Sequence, residues 1–270
     1  MSVSVAFDKA RAEHRAALVG YLPAGFPSVA GGIAAVRALA ESGADLIEIG
    51  FPYSDPVMDG PVIQRASEIA LAQGVRAADV LTTVHAVAET GVPVVVMTYW
   101  NLVERYGVER FGRDLAAAGG AGLITPDLIP EEADEWIAVS DRYGLDRIFL
   151  VAPSSTDARL RQTVQACRGF VYATSVMGVT GARAQTSTAA PALVSRLRAI
   201  AGPLPIGVGL GVRDGDQAAQ VAGYADGVIV GSALVSCLLD APDLDTGLTS
   251  LRALTSELAS GVRSARPGGA

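Results

Sequence analysis

The sequence predicts an α/β protein, a single-domain (β/α)8 TIM barrel with extra helices at the N-terminus and after strand two. Three observations predict it. Short, continuously apolar runs recur eight times, the pattern of parallel strands buried on both faces. Amphipathic segments lie between them, and many end in glycine, where a left-handed helix terminus needs one. The 270 residues contain no Ser/Gly-rich linker, no dividing charge run and no internal repeat, so residues 1–270 read as one unit with a core of about 16–262.

Taken in order, an amphipathic start at about 5–14 reads as a helix closing the barrel bottom. The strands are ALVGYL (17–22), DLIEIG (45–50), VVVMTY (94–99), AGLITP (121–126), RIFLVA (147–152), FVYATS (170–175), PIGVGL (205–210) and GVIVGS (227–232). Helical segments fall at 28–42, 76–90, 108–119, 130–143, 157–167, 189–201 and 214–223, with stops at Gly43, Gly91, Gly119, Gly144, Gly202 and Gly223. Strand two is too far from strand three for one unit, which places an added helix at 61–73. Pro130 followed by Glu131 and Glu132 suits a helix first turn, with carboxylates against the dipole. The tail RSARPGGA (263–270) reads as frayed.

Composition narrows the chemistry. The formal charge is −7, which argues against a general nucleic-acid binder. Lys9 is the only lysine, and it lies in polar sequence beside Asp8 and Arg11, the wrong setting for Schiff-base catalysis. His14 and His85 sit on separate segments, and Cys167 and Cys237 form no CxxC pair. A zinc site is therefore not expected, and both thiols read as packed core groups in a reducing, cytoplasmic setting. The run without a charged residue, Ala16 to Val36, is broken by Pro23, Pro27 and several glycines, so it is not a membrane span.

Reactive groups of such a barrel sit at strand C-termini and in the loops that follow. Glu48, embedded in apolar sequence near the end of strand two, meets that criterion. It reads either as an acid/base whose ionised form is disfavoured by its surroundings or as a satisfied interior carboxylate. Asp55 and Asp59 flank the Pro56-Val57-Met58 tip of the next loop, and the Asp59-Gly60 pair is equally a plain turn. Gly207-Val208-Gly209-Leu210-Gly211 after strand seven and Gly231-Ser232 after strand eight stand where barrels bind phosphate on backbone amides. The Gly-rich loop SVMGVTGARAQTS (175–187), with Gly181 and Arg183, reads as a mobile cover for that site.

These residues together resemble the tryptophan synthase alpha chain family. LIEIGFPYSDPVMDGPVIQRASEIAL (46–71) is close to its signature, and GYLPAGFPS (20–28), MTYWNLVERYG (97–107), GVTGAR (178–183), GVGLGV (207–212) and GSALV (231–235) match further blocks in order. The resemblance implies a lyase of tryptophan biosynthesis that cleaves indole-3-glycerol phosphate to indole and glyceraldehyde 3-phosphate without metal or organic cofactor. By position, Glu48 resembles the acid/base, Asp59 the carboxylate that accepts the indole N–H, and Tyr172 the tyrosine that orients the glutamate. Tyr21, Met97, Tyr99, Ile124 and Leu210 fall on indole-pocket positions; Gly181, Gly211, Gly231 and Ser232 fall on the phosphate cradle. The sequence departs from the family pattern at Phe26, Tyr21, Leu210 and Trp100.

The resemblance also implies a beta subunit carrying pyridoxal phosphate, in an alpha2beta2 heterotetramer. The loops 53–60, 101–108 and 176–187 would face that partner, with Asp55, Pro56, Val57, Met58 and Asn101 as contact residues. Two other readings stand beside it: a stand-alone lyase that releases free indole, and a non-catalytic allosteric partner that binds phosphate ligands.

Overall fold

The computed structural model describes residues 2–174 and 189–265. Eight parallel strands close into a barrel in sequence order. They are β1 (Ala17–Pro23), β2 (Leu46–Gly50), β3 (Val94–Met97), β4 (Gly122–Thr125), β5 (Asp146–Val151), β6 (Val171–Thr174), β7 (Ile206–Gly209) and β8 (Gly227–Val230). The helices are α1 (Ser4–Ala12), α2 (Val29–Glu41), α3 (Pro61–Ala72), α4 (Ala77–Ala88), α5 (Trp100–Tyr106), α6 (Val108–Ala117), α7 (Asp134–Tyr143), α8 (Asp157–Ala166), α9 (Ala189–Ala201), α10 (Gly215–Ala222), α11 (Ser232–Leu239) and α12 (Leu244–Ser264). All eight expected strands form, and α3 is the helix inserted after β2.

Local chemistry sets many of the helix ends. Ser28, Thr156, Asp214 and Asp243 each accept a backbone N–H from the third residue on, capping α2, α8, α10 and α12. Gly43, Gly91, Gly119, Gly144 and Gly202 take positive φ after their helices, as expected. Gly223 does not: its φ is −66°, and α10 ends in ordinary right-handed geometry. Three further expectations need correction. Pro130–Glu132 forms a separate 3-10 turn, because Glu132 and Ala133 bond back three residues, and α7 begins only at Asp134. Segment 101–108, expected as a loop, is helical on both sides of Gly107, whose φ of 95° turns α5 into α6. Arg263 and Ser264, expected as frayed tail, belong to α12; residues 266–270 lie outside the described residues.

The barrel interior is a cluster distinct from the strand–helix core. Val3, Ala6, Phe7 and Ala10 of the N-terminal segment plug its bottom against Ala17, Val19, Leu46, Ile148 and Ile229. Above them stands a column of rings, Phe7 to Phe170 at 5.3 Å and Phe170 to Tyr172 at 6.2 Å. Glycines on β7 and β8 make room for it. A Cβ at Gly227 would sit 2.9 Å from Phe7, one at Gly207 2.9 Å from Phe170, and one at Gly209 2.6 Å from the Tyr172 hydroxyl. Two of the three glycines in the β7 run thus serve packing beneath the mouth.

Aspartates secure the strand entrances at the bottom. Asp45 takes both Arg15 Nη groups at 2.6 and 2.8 Å and the Leu18 N–H at 2.9 Å. Asp146 accepts from Ser2 Oγ and Val3 N, and Asp226 holds Arg198 and the Ile206 N–H. Among the described residues no helix is long and apolar enough to cross a membrane.

Candidate active site

Glu48 projects from β2 into the barrel mouth, in register with Tyr21 of β1 and Val95 of β3. The alternation of β2 decides this: Leu46 lies in the interior cluster, so Glu48, two residues on, shares its face. The carboxyl is 1 % exposed, and its Oε2 is buried without a hydrogen-bond partner. Burial alone pushes its pKa up to about 8. An interior carboxylate kept for structure would be bonded to a neighbour, as Asp45 and Asp146 are. Glu48 therefore fits the acid/base reading.

Tyr21 and Tyr172 bring the rest of the site to it. The Tyr21 hydroxyl lies against Gly50, where any Cβ would meet it at 2.2 Å. Its pKa is raised well above the usual phenol value by burial, then by Asp59 and by Glu48, so one phenol senses both carboxylates. The pKa of Tyr172 on β6 is raised in the same way, by burial and then by Glu48. Met97 is half-buried at the end of β3, whereas Ile124 is fully buried in the cluster on which Met97 and Tyr172 pack, a floor position. Leu150, paired with Tyr172 across β5 and β6, joins that floor and was not legible as a site residue in the sequence.

Asp59 stands near the end of the loop 51–60, followed by Gly60, the N-cap of α3, which Pro61 opens without needing an N–H. Its carboxylate oxygen Oδ1 accepts the Tyr99 hydroxyl at 3.1 Å, and its backbone carbonyl accepts Gln64 Nε2 at 2.8 Å. Burial raises its pKa, and the Tyr99 bond lowers it again. The Tyr99 oxygen also accepts the N–H groups of Val57 and Met58 at 3.1 and 3.0 Å. Tyr53 packs on its ring at 5.0 Å and accepts Asn101 Nδ2 at 2.9 Å. At the loop tip Val57 is 69 % exposed, and Ser54 Oγ donates to Asp55 at 2.6 Å. Trp100 opens α5 with its N–H on the Asp127 carboxylate, and Phe26 is buried in the core.

On the opposite side of the mouth, Gly211 has φ of 72°, a conformation that favours glycine, and Leu210 beside it is half-buried. Gly231 precedes α11, whose first intrahelical acceptor is the Gly231 carbonyl, bonded by Val235 N. The N–H groups of Ser232, Ala233 and Leu234 therefore have no acceptor within the helix, the arrangement by which a helix N-terminus can hold an anion. Gly181 and Arg183 lie outside the described residues.

The family model described as tryptophan synthase alpha chain matches residues 7–263. The chain belongs to the tryptophan synthase alpha chain family. Among members of this family, the tryptophan synthase alpha chain of Salinispora arenicola (strain CNS-205) is 71 % identical over 261 residues, covering 97 % of each chain. That of Nocardia farcinica (strain IFM 10152) is 65 % identical over 259 residues, 96 % of this chain and 95 % of the relative. The structure of Mycobacterium tuberculosis tryptophan synthase superposes with a TM-score of 0.91 at 62 % identity, covering 97 % of this chain and 98 % of the other.

Proposed function

We propose that this protein cleaves indole-3-glycerol phosphate to indole and glyceraldehyde 3-phosphate, the alpha reaction of tryptophan synthase, by acid/base catalysis. The observation that carries this reading is the pairing of a buried, unbonded Glu48 with an Asp59 held in the same mouth. With its pKa near 8, Glu48 is protonated at neutral pH and delivers that proton to indole C3. The product of protonation is a cationic indolenine, and the Asp59 carboxylate, accepting the indole N–H, offsets its charge. The bond from the ring to the glycerol carbon then breaks, its electron pair returning to the ring as the Glu48 carboxylate takes the carbinol hydroxyl proton. One proton enters at carbon and one leaves from oxygen, so Glu48 ends in its starting state.

Tyr172 keeps Glu48 aimed, and Tyr21, Met97, Tyr99, Leu210 and the Ile124 floor enclose the indole. The phosphate rests on the amides at Gly211, Gly231 and Ser232, completed by Gly181. This proton-transfer route requires no organic cofactor of the protein's own. The product passes to a beta subunit that carries pyridoxal phosphate, in an alpha2beta2 assembly in the cytoplasm, with residues 1–270 acting as one domain. Asp55, Pro56, Val57, Met58 and Asn101 form the contact surface.

An indole-release assay with indole-3-glycerol phosphate, run with and without a beta subunit, tests this. Turnover that rises when the partner is added is expected. Equal turnover in both arms would favour a stand-alone lyase, and none in either would refute the reaction.

A further inference from the structure

Tyr99 has an unusual bonding load for a residue whose family position is a pocket wall. A phenol oxygen accepts at most two hydrogen bonds and donates one. Both acceptor places are taken by successive backbone N–H groups, Val57 at 3.1 Å and Met58 at 3.0 Å. The hydroxyl proton is thereby left to the one remaining neighbour, Asp59 Oδ1 at 3.1 Å. Among the described residues no other side chain hydrogen-bonds the Asp59 carboxylate. The ring cannot swing away freely, because Tyr53 covers it at 5.0 Å and Asn101 holds the Tyr53 hydroxyl.

We propose that Tyr99 is a positioning residue for the reaction, a tether that makes the orientation of the Asp59 carboxylate depend on the seating of the 56–58 loop tip. The proposal rests on the role given to Asp59 under the proposed function. With the tip seated, Oδ1 is occupied and Oδ2 is the oxygen left for the indole N–H. With the tip lifted, the phenol loses two donors and its own aim, and Asp59 loses its one side-chain partner among the described residues. Any surface that presses on the exposed Val57 thereby acts on Asp59 through two residues, with no change in the barrel.

Tyr99→Phe removes the tether and keeps the ring. Hydrogen exchange should show the Val57 and Met58 amides losing protection by about 10-fold or more, with other amides unchanged. The kcat should fall by about 10- to 100-fold while KM changes by less than about 3-fold. The acid limb of the kcat profile should move to higher pH, because the lost donor had favoured the Asp59 carboxylate over its protonated form. Among the described residues, the other titratable group coupled to Asp59 is Tyr21 on β1, which is coupled in turn to Glu48 on β2 and Tyr172 on β6, and all three are retained. Incorporating 3-fluorotyrosine at 99, a stronger donor of nearly the same shape, should move the limb the opposite way. It also carries the test if Tyr99→Phe does not fold.

Asp59→Asn keeps an acceptor for the phenol, so it should abolish turnover and leave the Val57 and Met58 protection intact. An unmoved acid limb and unchanged protection in Tyr99→Phe would overturn the tether. Failure of wild type to release indole would instead strike the lyase reading, and the exchange comparison would still decide whether the tether exists.

Discussion

At the residue scale the decisive contrast is between carboxylates that are bonded and the one that is not. Asp45 and Asp146 are buried as well, yet each gathers donors. Glu48 gathers none on its buried oxygen, and its proton affinity rises accordingly. Glu48→Gln preserves the shape and cannot exchange the proton, so kcat measured by indole release should fall at least ~10²-fold. The stability consequence has a definite sign. Folded Glu48 stays protonated up to about pH 8, whereas the unfolded carboxyl ionises near its usual 4.5. Its contribution is therefore fully present below the unfolded pKa, declines as pH rises through that window, and is flat above it. Glu48→Gln should gain relative to wild type from pH 5 to pH 8.5, by on the order of 4 kcal/mol in denaturant titrations. A constant difference across that range would mean that the carboxyl is not held neutral. For turnover, wild-type kcat should fall above about pH 8 as the acid is lost, and at low pH as Asp59 takes up its proton.

At the element scale, the eight strands and most of the helices between them were legible because an apolar run or a helical period ends on a recognisable residue, whereas α5, α11 and α12 were not. Strand two is the clearest case: a carboxyl embedded in an apolar run near the strand end singles out Glu48, and the structure places it beside Tyr21 in the mouth. What escaped the sequence depends on contacts between distant segments. Tyr99 bonds a loop about forty residues away, Tyr53 stacks on it, and Asp127 caps α5; no local pattern announces such partners. The β7 glycines show how one motif hides two purposes. Gly209 makes room for the Tyr172 hydroxyl, whereas Gly211 alone adopts the positive φ beyond the strand. Gly209→Ala should displace Tyr172, costing ~1–3 kcal/mol of stability and lowering kcat, with glycerol phosphate affinity nearly unchanged. Gly211→Asp should do the reverse, weakening glycerol phosphate binding in calorimetry through strain and an added negative charge while leaving the ring column in place. Equal effects of the two substitutions on ligand affinity would contradict this division.

At the scale of the whole molecule, the barrel divides its work between its two ends. The mouth carries groups left unsatisfied, the unbonded Glu48 oxygen and the start of α11 without a side-chain cap, beside the positive-φ Gly211. The bottom carries their opposite, ion pairs and aspartate clasps that hold the strand entrances, with α1 and Phe7 filling the interior between them. Arg15 and Asp45 are the most buried pair, at 2 % and 3 % side-chain exposure. Their desolvation makes the intact pair a modest source of stability, and without Asp45 the buried Arg15 keeps Glu13 on its Nε at 2.6 Å but loses both acceptors on its Nη groups at that aspartate. Asp45→Ala also deprives the Leu18 N–H of its acceptor at the start of β1. It should lower unfolding free energy by about 1–3 kcal/mol. The rigid column from Phe7 to Tyr172 nonetheless keeps the mouth in register wherever the barrel is folded. Steady-state kcat and KM at 25 °C should therefore stay within about 2-fold of wild type while the melting temperature drops. A kcat that falls in step with stability, under conditions where circular dichroism reports a fully folded protein, would show instead that the two ends are not mechanically separate.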